Sequence, residues 1–397
     1  MITVSETTMP GEALTRPQYR KLVVVLGVLG ALGPMTIDTY LPALPTLARH
    51  LDASDTAAQL TLSAMMLGLG LGQLLFGLVC HAVASVVCGI APTIEVLMVG
   101  RLLQGLASAA VAVASAALVR DLFRGMLAAE LLSRLALITG LAPILAPLVG
   151  SGLLTFTSWR GVFVVLALAA VLIGFFTRAG LAETLPPQRR IPATVAGTVA
   201  AYRQVLSDPL FLAVVLVASM SFTALFAYVS GSSFVMQGVF GLSPQVFGVV
   251  FASMSLGLSL CSQLNPRLVR TVGPVRALTV GLVIIAASAA VMLLLAQFRI
   301  GGLAGFLAPM FGVMMGLGFS LPNAPAVALH RHGEAAGTAA ALLGASQFVM
   351  GGLVTPVVGA LNDGTSRPIP LVILASSLVA LGTMLVAGKR LRAESYD

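Results

Sequence analysis

Apolar residues fall along this chain in blocks long enough to cross a bilayer, separated by short polar and basic interruptions. A crossing helix needs about 20 mostly apolar residues. Ten blocks meet that requirement: 22–45, 96–119, 135–156, 160–179, 209–230, 245–264, 276–297, 301–325, 336–360 and 369–388. An eleventh, 57–90, is too long for one ordinary span and short for two.

The basic residues decide how 57–90 is read, because positively charged loops stay on the cytoplasmic side. If 57–90 crosses twice, the chain has twelve spans with both termini inside. Of the 22 basic residues, 17 then lie inside, four lie outside and Arg101 lies within a span. If it crosses once, every later loop changes side, leaving 6 inside and 15 outside. The block is therefore expected to begin and end at the outer face, as two short crossings or a re-entrant hairpin.

Composition agrees with a membrane location. The chain has 397 residues, 58% hydrophobic and 9% charged, where a soluble domain carries about 25% charged residues. The net charge of +8 does not indicate nucleic acid, because the basic residues are scattered between apolar runs and form no patch. Cys80, Cys88 and Cys261 lie within apolar runs, without CxxC or metal spacing, and read as free thiols. The run from Leu22 is too long for a signal-peptide core and reads as a retained first span. No Walker A loop, GxSxG or HExxH is present. The expectation is a transporter, not an enzyme, with no cofactor, metal or bound ATP, driven by an ion gradient.

The longest polar stretch, 181–208, divides the spans into six and six, as an internal repeat would. The expected organisation is a cytoplasmic N-terminus (1–21), an N-terminal helix bundle (22–180), a cytoplasmic linker (181–208), a C-terminal bundle (209–388) and a cytoplasmic tail (389–397). "GLGLGQLLFG" (68–77) resembles "GLSLCSQLNP" (257–266). Matching Gln73 to Gln263 and Ser85 to Ser288 leaves 12 residues in the first half against 25 in the second. About a dozen residues, including a basic turn, are absent from the first copy.

Two charges stand apart. Asp38 is the only acid well inside a span, and Arg101 the only base. An ionised group at that depth costs about 2.5–3.5 kcal/mol on insertion scales and marks a function or a partner. Asp38 lies roughly 24 Å along an outward-running span, and Arg101 roughly 8 Å below the outer surface on an inward-running one. The two are expected at similar depth, facing each other as a proton switch or as a static ion pair, unless Asp38 is simply hydrated near the interface. Gln104, at i+3 from Arg101, shares its face. His81 can titrate or simply pack.

Tyr40, Phe222, Phe226, Tyr228, Met314, Met315, Phe319 and Asn323 are candidates for a substrate cavity. Flat aromatics and polarisable methionines suit promiscuous apolar ligands, although lipid-facing or packing roles fit each one equally. In "GLAPILAPLVGSGL" (140–153), Gly140, Pro143, Pro147 and Gly150 read as a hinge or a tight helix interface.

These segments resemble a known family. "MTIDTYLPALP" resembles the first-span signature of the Bcr/CflA drug-resistance transporters, a branch of the major facilitator superfamily. "GRLLQGLASAA" is similar to the superfamily's fourth-span motif, and "LAPILAPLVGSGLL" to the antiporter motif of the fifth, with Ala146 and Ser151 where glycines are common. "AETLPPQRR" resembles the family's exit from the sixth span. The resemblance implies an all-α membrane protein of two six-helix bundles, alternating access and proton-coupled multidrug efflux. Its implied substrates are small amphipathic compounds such as chloramphenicol- or bicyclomycin-like drugs. It implies Asp38 as proton or substrate site, Arg101 and Gln104 as coupling partners, and the residues of 140–150 as the antiport hinge. The partners would be drug or metabolite, protons and the lipid bilayer, with no nucleic acid. The protein would be a monomer in the bacterial inner membrane. The family's G…D-R-x-G-R-R loop between spans two and three, thought to latch the bundles, is absent. Two alternatives stay open: a transport-impaired remnant or membrane scaffold, and an exporter of an endogenous metabolite.

Overall fold

The computed structural model describes residues 15–71, 78–123, 125–180, 202–330 and 336–394. Every regular element in them is helical. That is the expected solution in hydrocarbon, where backbone groups have no water to bond and must satisfy one another. The helices are α1 (Arg16–Asp38), α2 (Leu44–His50), α3 (Asp55–Leu71), α4 (Leu78–Ile90), α5 (Ile94–Leu122), α6 (Gly125–Leu153) and α7 (Trp159–Gly180). After the linker come α8 (Pro209–Ser233), α9 (Pro244–Val272), α10 (Pro274–Gln297), α11 (Gly302–His330), α12 (Ala336–Ala360) and α13 (Pro368–Glu394).

Local chemistry sets several boundaries. Proline suits the first turn of a helix, where its missing N–H is not needed. Pro209 follows Asp208, whose carboxylate accepts the Leu210 N–H at 2.9 Å. Pro244 follows Ser243, whose hydroxyl accepts the Val246 N–H at 3.3 Å. Gly273, at φ +82°, lets α9 stop and α10 start at Pro274 with no further linker.

The first span, expected to be continuous over 22–45, is broken. α1 ends at Asp38, a 3-10 turn covers Leu41–Ala43, and α2 follows. Pro42 and Pro45 are the reason, since neither can donate to the carbonyl four residues back and each ring crowds it. The freed carbonyls turn to the second half of the chain. Leu41 accepts the Ser233 hydroxyl at 2.7 Å, and Pro42 accepts the Gln237 amide at 3.1 Å. The segment 120–134, expected as a basic loop, is almost wholly helical, with α5 running to Leu122 and α6 starting at Gly125. Its alanine, leucine, methionine and glutamate are strong helix formers.

The block 57–90 forms two helices, α3 and α4. Asp55, at the start of α3, accepts a hydrogen bond from Asn362 at 3.1 Å. Beyond the end of α4, the Ala91 carbonyl accepts one from Arg160 at 2.9 Å. Asn362 lies between α12 and α13, and Arg160 opens α7 after the α6–α7 connection. Both ends of the block are thus tied to the expected outer end. The turn itself, with Gln73, lies outside the described residues, as do most of the linker and Arg331. In sequence this block is about a dozen residues shorter than its second-half counterpart, which forms α9 and α10.

The same pairing recurs in each half. α1 packs on α6, α3 on α5 and α4 on α7; in the second half α8 packs on α12, α9 on α11 and α10 on α13. Two seams join the halves, α3 against α12 and α6 against α9. α3 and α5 approach closely. A Cβ on Gly68 would collide with the Leu102 carbonyl, and one on Gly105 with the Met65 carbonyl, so these backbones touch directly.

Candidate functional site

A cavity of about 460 Å³ lies between the halves. α1 contributes Gly33, Pro34, Ile37 and Asp38; α5 contributes Ser108; α6 contributes Pro143. From the second half come Phe222, Phe226 and Tyr228 on α8, Phe251 and Ser255 on α9, Met314 on α11 and Phe348 on α12. The walls are aromatic. Phe222 lies 4.8 Å from Phe226 and 5.3 Å from Phe348, edge to face with the latter, while Tyr228 stacks on Phe251 at 5.0 Å. Such rings offer large apolar contact area in fixed geometry.

Few polar groups reach this cavity. Asp38 is 6% exposed and, among the described residues, makes no hydrogen bond or ion pair. Ser108 and Tyr228 also line the space, and among the described residues their hydroxyls are buried without a hydrogen-bond partner. One carboxylate in a largely apolar box is a distribution typical of small-molecule sites.

Arg101 occupies a different compartment. It is fully buried, and its guanidinium lies 4.2 Å from the Tyr40 ring centroid and 5.8 Å from that of Phe163. Nη1 donates to the Thr36 carbonyl at 3.1 Å and to Gln104 Oε1 at 2.9 Å, while Nε and Nη2 are unpartnered. Gln104 Nε2 donates to Ser85 Oγ at 2.7 Å, and Ser85 donates to the His81 carbonyl at 2.8 Å. His81 Nε2 lies 3.1 Å from the Thr36 hydroxyl, which donates to the Leu32 carbonyl at 2.6 Å. Tyr40 donates to Thr61, 2.6 Å away, whose own hydroxyl is given to the Ala58 carbonyl. A ring of polar groups thus ties α4 and α5 to the last turn of α1.

Arg101 of α5 bonds the Thr36 carbonyl, two residues from Asp38 along α1, but does not pair with Asp38. Helical geometry gives the reason. Residues two apart differ by about 200° around a helix. α1 therefore turns Thr36 towards α4 and α5 and Asp38 towards the opposite side, where the cavity lies. The expectation that the two charges face each other is corrected accordingly.

Phe222, Phe226, Tyr228 and Met314 stand around the cavity with Asp38. Four other candidates do not. Tyr40 lies beneath Arg101 inside the first half. Met315 is turned about 100° from Met314 and is 36% exposed. Phe319 packs towards α10, its Cβ 3.1 Å from where a Cβ on Gly281 would stand. Asn323 exchanges two amide hydrogen bonds with Asn265, at 2.7 and 3.3 Å, beside a separate cavity of about 770 Å³.

The residues of 140–150 are spread over contacts between elements. The Gly140 carbonyl accepts from Ser259 of α9 at 3.3 Å. Pro143 lines the cavity. The Pro147 carbonyl would lie 2.8 Å from a Cβ on Gly248. A Cβ on Gly150 would collide with the Thr39 carbonyl at the break after α1. α6 therefore touches both the acid-bearing helix and the second half. Phe251, Phe348, Ser108, Thr36 and Ser85 are not among the site residues expected from the sequence, and His81, open there between titrating and packing, joins the ring with Thr36 and Ser85. Their apolar surroundings give no signal of which way each faces.

Comparison with known proteins agrees with this architecture. The family model described as Major Facilitator Superfamily matches residues 26–356. The chain is 33% identical over 375 residues to the uncharacterized MFS-type transporter YdgK of Bacillus subtilis, covering 90% of this chain and 93% of that one. It is 29% identical to a bicyclomycin resistance protein homolog of Haemophilus influenzae, covering 87% and 90% of the two chains. It is 26% identical to a chloramphenicol resistance protein of Pseudomonas aeruginosa, covering 92% and 90%. Among solved structures, a D-xylose-proton symporter superposes with a TM-score of 0.71 at 14% identity, covering 91% of this chain and 97% of that one. A bacterial homolog of the lysosomal transporter Spinster, in an inward-facing and unoccupied conformation, gives 0.69 at 14% identity, covering 96% and 99%. The chain belongs to the Major Facilitator Superfamily and stands among its drug-resistance transporters.

Proposed function

We propose that this protein exports small amphipathic compounds from the bacterial cytoplasm in exchange for protons, with Asp38 as the group that binds either a proton or the substrate. The observation that carries the reading is one carboxylate, without a partner, facing an aromatic cavity between two halves of a transporter fold. An acid so placed must take a proton, a cation or a hydrogen-bond donor, because an isolated buried charge is costly. The relatives' names suggest chloramphenicol- and bicyclomycin-like compounds as first substrates to test. Arg101 and Gln104 hold the turn of α1 that presents Asp38. The bonds from Leu41, Pro42 and Asp55 to the second half close the expected outer end in this state; outward opening would require breaking them. One chain supplies the whole cavity, which supports a monomer in the inner membrane, with both termini on the cytoplasmic side.

The test is expression in a drug-hypersensitive host, with drug-induced proton release measured in everted vesicles. Resistance and proton release should accompany the native chain and disappear in Asp38→Asn at equal membrane abundance. The loop missing from the sequence between the second and third spans favours a second reading, impaired transport. Absence of resistance from the native chain, present in the membrane, would establish that reading instead. Release that persists unchanged in Asp38→Asn would remove the role given to this acid.

A further inference from the structure

Two polar groups lack partners where the halves meet, one from each half. Asp38, the last residue of α1, makes no hydrogen bond or ion pair among the described residues. Tyr228 of α8 is 1% exposed, and among the described residues its hydroxyl is buried without a hydrogen-bond partner. Both line the Asp38 cavity, where they are the titratable side chains, and they lie close enough to interact electrostatically. A hydrogen bond fixes the two segments side by side: Ser233 of α8 donates to the Leu41 carbonyl at 2.7 Å. Asp38 stands three residues before Leu41, and Tyr228 five residues before Ser233, about 7.5 Å along the helix. The Tyr228 ring is held from its own half, stacked on Phe251 at 5.0 Å. Other hydroxyls at the cavity are spent or belong to the first half. Ser255 donates to the Phe251 carbonyl and Ser259 to that of Gly140, while Ser108 is on α5.

We propose that Tyr228 donates a hydrogen bond to Asp38 whenever that carboxylate is ionised and carries no substrate, which makes Tyr228 a positioning residue of the exchange. This rests on the reading of Asp38 as the site that a proton or a substrate occupies. An ionised carboxylate in apolar walls requires a donor, and a phenol supplies one. A buried hydroxyl without a partner calls for an explanation of its own, and one bond answers both needs. Because Tyr228 and Asp38 belong to different halves, the bond joins the halves. A proton or substrate on Asp38 releases it. The transporter that carries neither is therefore held in one state. That hold matters, since an empty carrier that changes state freely turns exchange into a proton leak.

The experiment has two readouts on the full chain in liposomes. The first is infrared difference spectroscopy between acid and alkaline pH, which needs no transport. The carboxylate band that Asp38→Asn removes should shift in Tyr228→Phe and stay in place in Ser108→Ala. The second is drug-free proton flux under an imposed pH gradient, followed with a pH-sensitive dye while potassium and valinomycin clamp the voltage. Tyr228→Phe should leak protons roughly tenfold faster than the native chain, as loss of a hydrogen bond to a charged group implies. Tyr228→Phe/Asp38→Asn should lose that excess, because the acid that carries the proton is gone; a merely loosened structure would keep it. No such band in the native chain, a band unmoved in Tyr228→Phe, or one that moves in Ser108→Ala instead, overturns the proposal. In a chain that exchanges drug for protons, a Tyr228→Phe leak equal to the native one, or one that survives Asp38→Asn, overturns it as well. Drug-driven proton release that persists in Asp38→Asn overturns the underlying reading of Asp38 instead.

Discussion

Replacing Gln104 by leucine removes the side chain that joins the buried arginine to α4. Gln104 accepts from Arg101 Nη1 at 2.9 Å and donates to Ser85 at 2.7 Å, and both neighbours are fully buried. A hydrogen bond to a charged group contributes about 1.5–3 kcal/mol, and a neutral one about 0.5–1.5 kcal/mol. Leucine has similar bulk and makes neither. Among the described residues Arg101 Nε and Nη2 have no partner, so after the substitution the Thr36 carbonyl is the guanidinium's remaining acceptor. The expected destabilisation is about 2–4 kcal/mol. The double variant Arg101→Met/Gln104→Leu should be more stable than Gln104→Leu alone, because removing a buried charge together with its partner is less damaging than stranding it. The chain has one tryptophan, Trp159. It is fully buried and packs edge to face on Phe163 at 6.1 Å, beside the guanidinium. Its fluorescence during detergent unfolding therefore reports on this region. Equal stability of Gln104→Leu and the native chain, or a double variant less stable than the single, would refute the account of Arg101 as a charge held by this network.

Other outcomes follow from contacts already described. Tyr40→Leu should cost up to about 2 kcal/mol through loss of the desolvated cation–π contact, whereas Tyr40→Phe keeps the ring and should cost less; the same unfolding signal separates them. Gly150→Leu should abolish correctly folded protein, since any Cβ there meets the Thr39 carbonyl; size-exclusion of a fluorescent fusion shows whether a monodisperse peak survives. Asp55→Cys with Asn362→Cys, in a chain freed of Cys80, Cys88 and Cys261, should be bridged by a short bifunctional thiol reagent, stopping transport until reduced. Asn265→Leu should strand the buried Asn323 amide at a cost of about 1–3 kcal/mol, and Asn265→Leu/Asn323→Leu should recover part of it.

The helical segments were legible because hydrocarbon imposes a length. That constraint applies to single segments without knowledge of neighbours. The doubling of 57–90 was legible through charges far from it. Asp38 and Arg101 were conspicuous because so few charges lie within spans. Their relative facing was not, since it depends on rotation about α1 and on the break that Pro42 and Pro45 impose just beyond. Met314 and Met315 show the same limit: adjacent in sequence and alike in chemistry, one lines the cavity and the other faces outward. Phe251 and Phe348 carried no mark that distinguishes a cavity wall from a lipid-facing ring. Only the packed arrangement of helices assigns them.

The glycine contact between α3 and α5 bears on how the halves can move. Two backbones in direct touch have no side-chain layer between them to slide or repack, so this pair behaves as a single rigid strut. The seam between α3 and α12 loosens away from one end: a Cβ on Gly359 would find the Thr56 Cα at 3.0 Å, whereas one on Gly352 would find the Ser63 carbonyl at 3.3 Å and one on Gly70 that of Ala345 at 3.4 Å. Rocking about the cavity is thereby directed to that seam, and the first half should tilt as one piece, carrying Asp38 and its arginine-braced turn like a lamp on a fixed arm.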